Sequence, residues 1–175
     1  IQAHENVKPF IHKTPVFTSQ IINKMCDCSV FFKCENLQKM GAFKMRGAVN
    51  AIHNLSADQK ENGVVTHSSG NFAQAVSLAA QKLNVAAFIV MPKNAPQVKK
   101  DAVINYRGTI FECDSNINAR EVEAERIVKN KNATFIHPSN DDQVILGQGT
   151  SAKEFLEEIP DLDMILTPVG GGGLI

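Results

Sequence analysis

From Val64 onward, short apolar runs alternate with helical periods, and no other feature of the chain constrains its fold as much. Val64-Val65-Thr66-His67 reads as a short buried strand. Phe72 to Leu83 reads as a helix with Phe72, Val76, Ala79 and Leu83 on one apolar face. Val85 to Met91 is a second strand, stopped by Pro92. A helix follows from about Pro96 to Tyr106, with proline at its favoured first position and Gly108 just past its end. Thr109 to Cys113 is a third strand, Asn118 to Asn130 a charged helix, and Thr134 to His137 a fourth strand ended by Pro138. Apolar strands joined by helices predict an α/β fold whose parallel sheet is covered by helices.

Further along, a helix is predicted from about Thr150 to Glu158, then a strand from Asp163 to Val169 that runs into Gly170-Gly171-Gly172-Gly173. A strand and glycine loop normally feed a helix, and the chain reaches Ile175 first. The expectation is therefore an incomplete N-terminal portion of a larger protein, with no Met at its start. The turns near 56–62 and 138–142 are the best boundaries. They predict a large domain from residues 1–61 and 140–175, continuing past the end, and a small domain from 62–139.

Composition narrows the partners. Lys plus Arg and Asp plus Glu both number 18, so the net charge is +0. That balance gives no support for nucleic acid or an anionic membrane as partner. No apolar run approaches a membrane span. The four cysteines, Cys26, Cys28, Cys34 and Cys113, do not have zinc-site spacing. They read as reduced thiols of a cytoplasmic protein.

Three segments carry chemistry. Lys44 follows Gly41 at the apparent start of a helix, between Met40, Phe43 and Met45. The positive potential there favours a neutral amine, the form that attacks a carbonyl to make a Schiff base. A surface ion pair is the plainer reading of one such lysine. Ser68-Ser69-Gly70-Asn71 sits between a strand and a helix N-terminus, where backbone N–H groups suit a carboxylate; a simple helix cap is the plainer alternative. The four glycines directly after an apolar strand can bring several N–H groups onto one phosphate, and they match neither a P-loop nor a dinucleotide fingerprint. His67 and His137 each end a strand, and both read as structural rather than as metal ligands.

Taken together, these segments resemble the fold-type II pyridoxal-phosphate enzymes, in the serine racemase and threonine dehydratase branch. The pieces that carry the resemblance are Lys33-Cys34-Glu35-Asn36-Leu37-Gln38, Gly41-Ala42-Phe43-Lys44-Met45-Arg46-Gly47-Ala48, His67-Ser68-Ser69-Gly70-Asn71, Gly147-Gln148-Gly149-Thr150 and the tetraglycine, in the family's order. The resemblance implies that Lys44 holds pyridoxal 5'-phosphate covalently and later acts as one base. It puts Phe43 beside the pyridine ring and Asn71 on the ring's phenolic oxygen. Gly170, Gly171, Gly172 and Gly173 would bind the phosphate. Ser68, Ser69, Gly70, Asn71, Phe72 and Ser139 would surround the substrate. No metal ligand is expected within this chain.

Ser69 points to a branch. Bacterial threonine dehydratases usually carry Ser-Ala-Gly-Asn in this loop, whereas serine racemases and hydroxyaspartate dehydratases carry Ser-Ser-Gly-Asn, as here. A hydroxyl on the face opposite Lys44 suits racemisation of L- and D-serine through a cofactor-stabilised carbanion. Loss of the β-hydroxyl from the same carbanion yields pyruvate and ammonia. A threonine, serine or 3-hydroxyaspartate dehydratase without useful racemisation is the alternative, and a non-catalytic amino-acid sensor is a third. The family commonly has His where this chain has Phe72. The resemblance further implies a homodimer, with Mg2+ or Ca2+ and ATP as effectors whose ligands lie outside this chain.

Overall fold

A computed structural model describes residues 1–175. The N-terminal part contains α1 (Gln2–Val7), β1 (Val16–Thr18), α2 (Gln20–Cys26) and β2 (Phe31–Lys33). Strands β1 and β2 form an antiparallel pair with Val16 opposite Lys33. Next come α3 (Lys44–His53) and α4 (Ala57–Asn62), the latter started by a capping box in which Ser56 and Gln59 satisfy each other's backbone N–H. None of these six short elements belongs to the alternating pattern.

The alternation then appears in the predicted order: β3 (Val64–His67), α5 (Asn71–Lys82), β4 (Ala87–Pro92), α6 (Gln97–Asn105), β5 (Thr109–Cys113), α7 (Ile117–Lys131) and β6 (Thr134–Phe135). Pro92 is the last residue of its strand, Pro96 is the N-cap of α6, not its first residue, and the fourth strand stops at Phe135, before His137. The four strands form a parallel sheet in the order β5-β4-β3-β6. Strand β3 is buried along its whole length, which is why it reads as a continuous apolar run. Successive side chains point to opposite faces. Val64, Ile89 and Met91 join the main core with α5, while Val65 and Val90 pack with Ala124 and Ile127 of α7.

Helix α3 lies against α5 on its far side from the sheet, and α8 (Asp142–Glu158) lies against α3. Residues Met45 to Ile52 are all buried, as expected of a helix covered on both sides. One core of 23 residues runs from Val7 through α3 and α5 to the sheet, across the boundary expected near residue 61.

Two elements differ from expectation. Helix α8 starts at Asp142, not near Thr150. Asp141 caps it, its carboxylate accepting from the N–H of Gln143 at 2.9 Å and of Val144 at 3.0 Å. Gly147 and Gly149 look like helix breakers but lie inside it. Gly147 is there because α8 touches α3 backbone to backbone: a Cβ at Gly147 would stand 2.5 Å from the Arg46 carbonyl oxygen and 2.8 Å from Gly47 Cα. The strand expected over Asp163 to Val169 does not form. A strand needs a ladder partner, this segment pairs with none in the chain, and Leu166 and Val169 are exposed. No helix is long and apolar enough to cross a membrane.

Candidate active site

Lys44 is the first residue of α3, after a turn in which Met40 and Gly41 both take positive φ, 56° and 79°. That turn delivers a half-buried side chain. Its Nζ donates to the Pro138 carbonyl oxygen at 2.9 Å and lies 5.0 Å from the centroid of the Phe43 ring and 5.6 Å from that of Phe72. Burial lowers the amine's pKa below the ordinary lysine value. Its place at the helix start acts in the same direction. The solvated surface charge of the plainer reading is not what the fold builds.

The turn from His137 to Asn140 connects this amine to the glycine bend. His137 Nδ1 accepts from the N–H of Ser139 at 3.1 Å and of Asn140 at 2.8 Å, which orients the Pro138 carbonyl and the Ser139 side chain together. Ser139 in turn lies against the glycines. A Cβ on Gly171 would be 2.6 Å from Ser139 Oγ, and one on Gly173 would be 2.9 Å from Ser139 Cα. Gly172 has φ +80°, which favours glycine on conformational grounds. Around Gly170 and Gly172 the space that a Cβ would take is open. None of the N–H groups from Gly170 to Leu174 donates to another group of the chain. A row of free N–H groups on Cβ-less backbone beside a desolvated amine fits a phosphate-bearing aldehyde.

The serine loop joins β3 to α5. Gly70 is the N-cap and supplies no side-chain acceptor, so the first N–H groups of α5 stay free for an anion. This argues against the plain capping reading. Ser68 Oγ accepts from the Gly70 N–H at 3.2 Å, tightening the loop. Ser69 is half-buried. Asn71 Oδ1 accepts from Lys99 Nζ at 3.0 Å, so the amide's N–H groups remain available as donors. Phe72 is 3% exposed and belongs to the main core, so it forms wall behind the Lys44 amine rather than open lining.

Two groups escaped sequence reasoning. Arg46, fully buried, makes paired hydrogen bonds to Glu35 at 2.8 and 2.7 Å and to Glu154 at 2.8 and 2.8 Å. Lys33 adds a 3.0 Å contact to Glu154. Burial opposes the guanidinium charge, but the bonds to Glu154 and Glu35 outweigh it and raise the pKa of Arg46. Four charges on β2, the following turn, α3 and α8 thus clamp the helix that presents Lys44. The second group is Gln148, fully buried, whose Nε2 donates to the Gly173 carbonyl oxygen. Glu35, Arg46 and Gln148 all lie in the quoted motif segments, but which partner each meets is decided by tertiary packing.

His67 and His137 stand together at the end of the sheet. Their rings meet edge to face at 5.8 Å, and no group of three or more His, Cys, Asp or Glu is arranged to hold an ion. Burial, then the neighbouring His137, lowers the pKa of His67. Both line a cavity of about 390 Å³ beside α7 that contains neither Lys44 nor the glycines.

Comparisons with known proteins bear on the family and the fold. Residues 7–175 match the family model described as pyridoxal-phosphate dependent enzyme. Serine racemase of Arabidopsis thaliana is 50% identical over 174 residues, covering 99% of this chain and 53% of that protein. The β-hydroxyaspartate dehydratase of Paracoccus denitrificans is 46% identical over 175 residues, covering 100% of this chain and 56% of the relative. The solved structure of maize serine racemase superposes with a TM-score of 0.97 at 46% identity, over 99% of this chain and 53% of that one. The chain spans about half the length of the curated relatives it matches. Its parallel sheet flanked by helices is that of the fold-type II enzymes, and the chain belongs to the pyridoxal-phosphate dependent enzyme family.

Proposed function

We propose that the complete protein is a serine racemase that interconverts L- and D-serine and also eliminates the β-hydroxyl to give pyruvate and ammonia. The observation that carries this reading is the Lys44 amine: desolvated, 2.9 Å from the Pro138 carbonyl, with the next residue, Ser139, packed on the glycine bend. When bound, pyridoxal phosphate supplies an electron sink that stabilises negative charge at the substrate's α-carbon. Lys44 binds the cofactor and moves the α-proton on one face. The Ser69 hydroxyl moves it on the other. The open N-terminus of α5, with Ser68 and Gly70, receives the substrate carboxylate. Asn71 would donate to the ring's phenolic oxygen, Phe43 would pack beside the ring, and Gly170, Gly171, Gly172 and Gly173 would hold the phosphate. Ser139, packed on the glycines, would contact the substrate.

In this reading residues 1–61 and 140–175 belong to the large domain and 62–139 to the small one, with the substrate between them. Homodimeric assembly, a cytoplasmic location, and Mg2+ or Ca2+ and ATP as effectors belong to the same proposal. They rest on family likeness. A 3-hydroxyaspartate, threonine or serine dehydratase without useful racemisation is the second reading, favoured by the 46% identity to the Paracoccus enzyme.

Ser69→Ala in the full-length protein separates them. Chiral analysis and keto-acid detection with L-serine, D-serine, L-threonine and hydroxyaspartate should show racemisation and D-serine turnover falling by about 100-fold or more, the scale of one acid–base group. Keto-acid formation from L-serine should fall much less. Unchanged D-serine turnover in this variant would falsify the two-base assignment.

A further inference from the structure

Gln148 lies on α8, one residue after the Gly147 crossing, and none of its side chain reaches solvent. Its Nε2 donates to the Gly173 carbonyl oxygen, and a Cβ on Gly173 would be 3.0 Å from that nitrogen. Because a carbonyl can only accept, the amide orientation is dictated by its partner. Its Oε1 is buried with no donor. A buried amide left half-satisfied costs stability, so the chain keeps Gln148 there against a local penalty. Its Cγ also abuts Gly47, 2.9 Å from where a Cβ would be, so the side chain is fixed on the α3 side as well.

The consequence concerns peptide orientation. The chain has no cis peptide bonds, and in a trans peptide the C=O and the following N–H point in opposite directions. Drawing the Gly173 carbonyl toward α8 turns the next N–H, that of Leu174, away from α8, and this N–H, like those of the glycines, donates to no group of the chain. We infer that Gln148 is a positioning residue for the glycine bend: it holds the Gly173 peptide in the orientation that receives a phosphate monoester, without touching the phosphate itself. This rests on the reading of the bend as the phosphate site.

The test exploits the fact that pyridoxal lacks the phosphate that pyridoxal phosphate carries. In the full-length apo-protein, Gln148→Leu, of similar volume, should raise the Kd for pyridoxal phosphate about tenfold, the worth of one hydrogen bond. The Kd for pyridoxal should stay unchanged. The 31P resonance of bound pyridoxal phosphate should move. Equal weakening of both ligands, or of neither, overturns the inference. If the variant does not fold, wild-type protein labelled with 15N on glutamine side chains decides: the Gln148 amide pair should shift when inorganic phosphate saturates the site, and an unmoved pair overturns the inference. Failure of wild-type protein to bind pyridoxal phosphate at all defeats the functional reading instead. The response to inorganic phosphate still reports on Gln148.

Discussion

Lys44 and Pro138 stand 94 positions apart in the chain, yet the amine of one donates to the carbonyl of the other at 2.9 Å. This bond joins the start of α3 to the turn that carries Ser139. It gives a desolvated amine an acceptor and keeps it inside the site. Because burial lowers its pKa, Lys44 loses its proton at a lower pH than an exposed lysine. Reaction with trinitrobenzenesulfonate, followed at Lys44 by mass spectrometry across pH, should reach its half-maximum at lower pH than the same reaction of a lysine in a short model peptide. The stability sign follows. The unfolded chain binds the proton more tightly, so this group's penalty is present at neutral pH and is relieved as pH rises through the folded pKa toward the unfolded one.

The two helix glycines of α8 should respond in opposite ways. At Gly147 an added methyl meets the Arg46 carbonyl oxygen at 2.5 Å, with backbone on both sides and no room to shift. Gly147→Ala should destabilise by about 1–3 kcal/mol. Gly149 has nothing within 4 Å of a Cβ and no positive φ, so Gly149→Ala should stabilise by about 0.5–1 kcal/mol. Urea unfolding of the two variants checks both, and equal effects would refute the crossing.

Within the glycine bend, the neighbour's mobility decides the outcome. Gly171→Ala meets Ser139 Oγ at 2.6 Å, which can rotate away, and Ser139 Cβ at 2.9 Å, whereas Gly173→Ala meets Ser139 Cα at 2.9 Å and the buried Gln148 Nε2 at 3.0 Å. The second variant should weaken pyridoxal phosphate binding more than the first. Adding Ser139→Gly to Gly171→Ala should restore affinity, because it removes the atoms in conflict. A double-mutant cycle in Kd gives the coupling directly.

The buried ion cluster predicts acid sensitivity. Burial would raise the pKa of Glu154, but the bonds from Arg46 and Lys33 prevail and lower it. A carboxylate with a depressed folded pKa adds stability above its unfolded pKa and loses it as pH falls through the folded one. The loss should begin within the ordinary carboxylate range, where the unfolded chain takes up the proton, and be complete only below the depressed folded pKa. Arg46→Met, which leaves Glu35 without its cation and Glu154 with Lys33 alone, should cost about 3–5 kcal/mol at neutral pH. Denaturant titrations from pH 7 down to pH 3 should show Glu154→Gln flattening the acid limb of the stability profile.

Much of this was legible in residue order, and the exceptions have physical causes. The strands β3, β4 and β5 and the helices between them announce themselves through apolar runs and period, because the sheet is covered on both faces. Lys44 and the glycines were visible because glycine and helix starts have local signatures. Helix α8 looks short in the sequence because Gly147 serves a distant backbone, a need that no local propensity records. The segment 163–169 has strand composition without a ladder, since pairing is a property of two segments. Gln148 and the Arg46 cluster stayed hidden for the same reason.

At the crossing of Gly47 and Gly147, main chain rests on main chain. The lysine stands one turn before that junction, and the amide that grips the glycine bend stands one residue after it. The gauge between amine and glycine bend is thereby set by bond lengths and van der Waals radii, not by how neighbouring side chains happen to fit. Repacking the surrounding core would change the protein's melting point long before it changed the reach from one to the other.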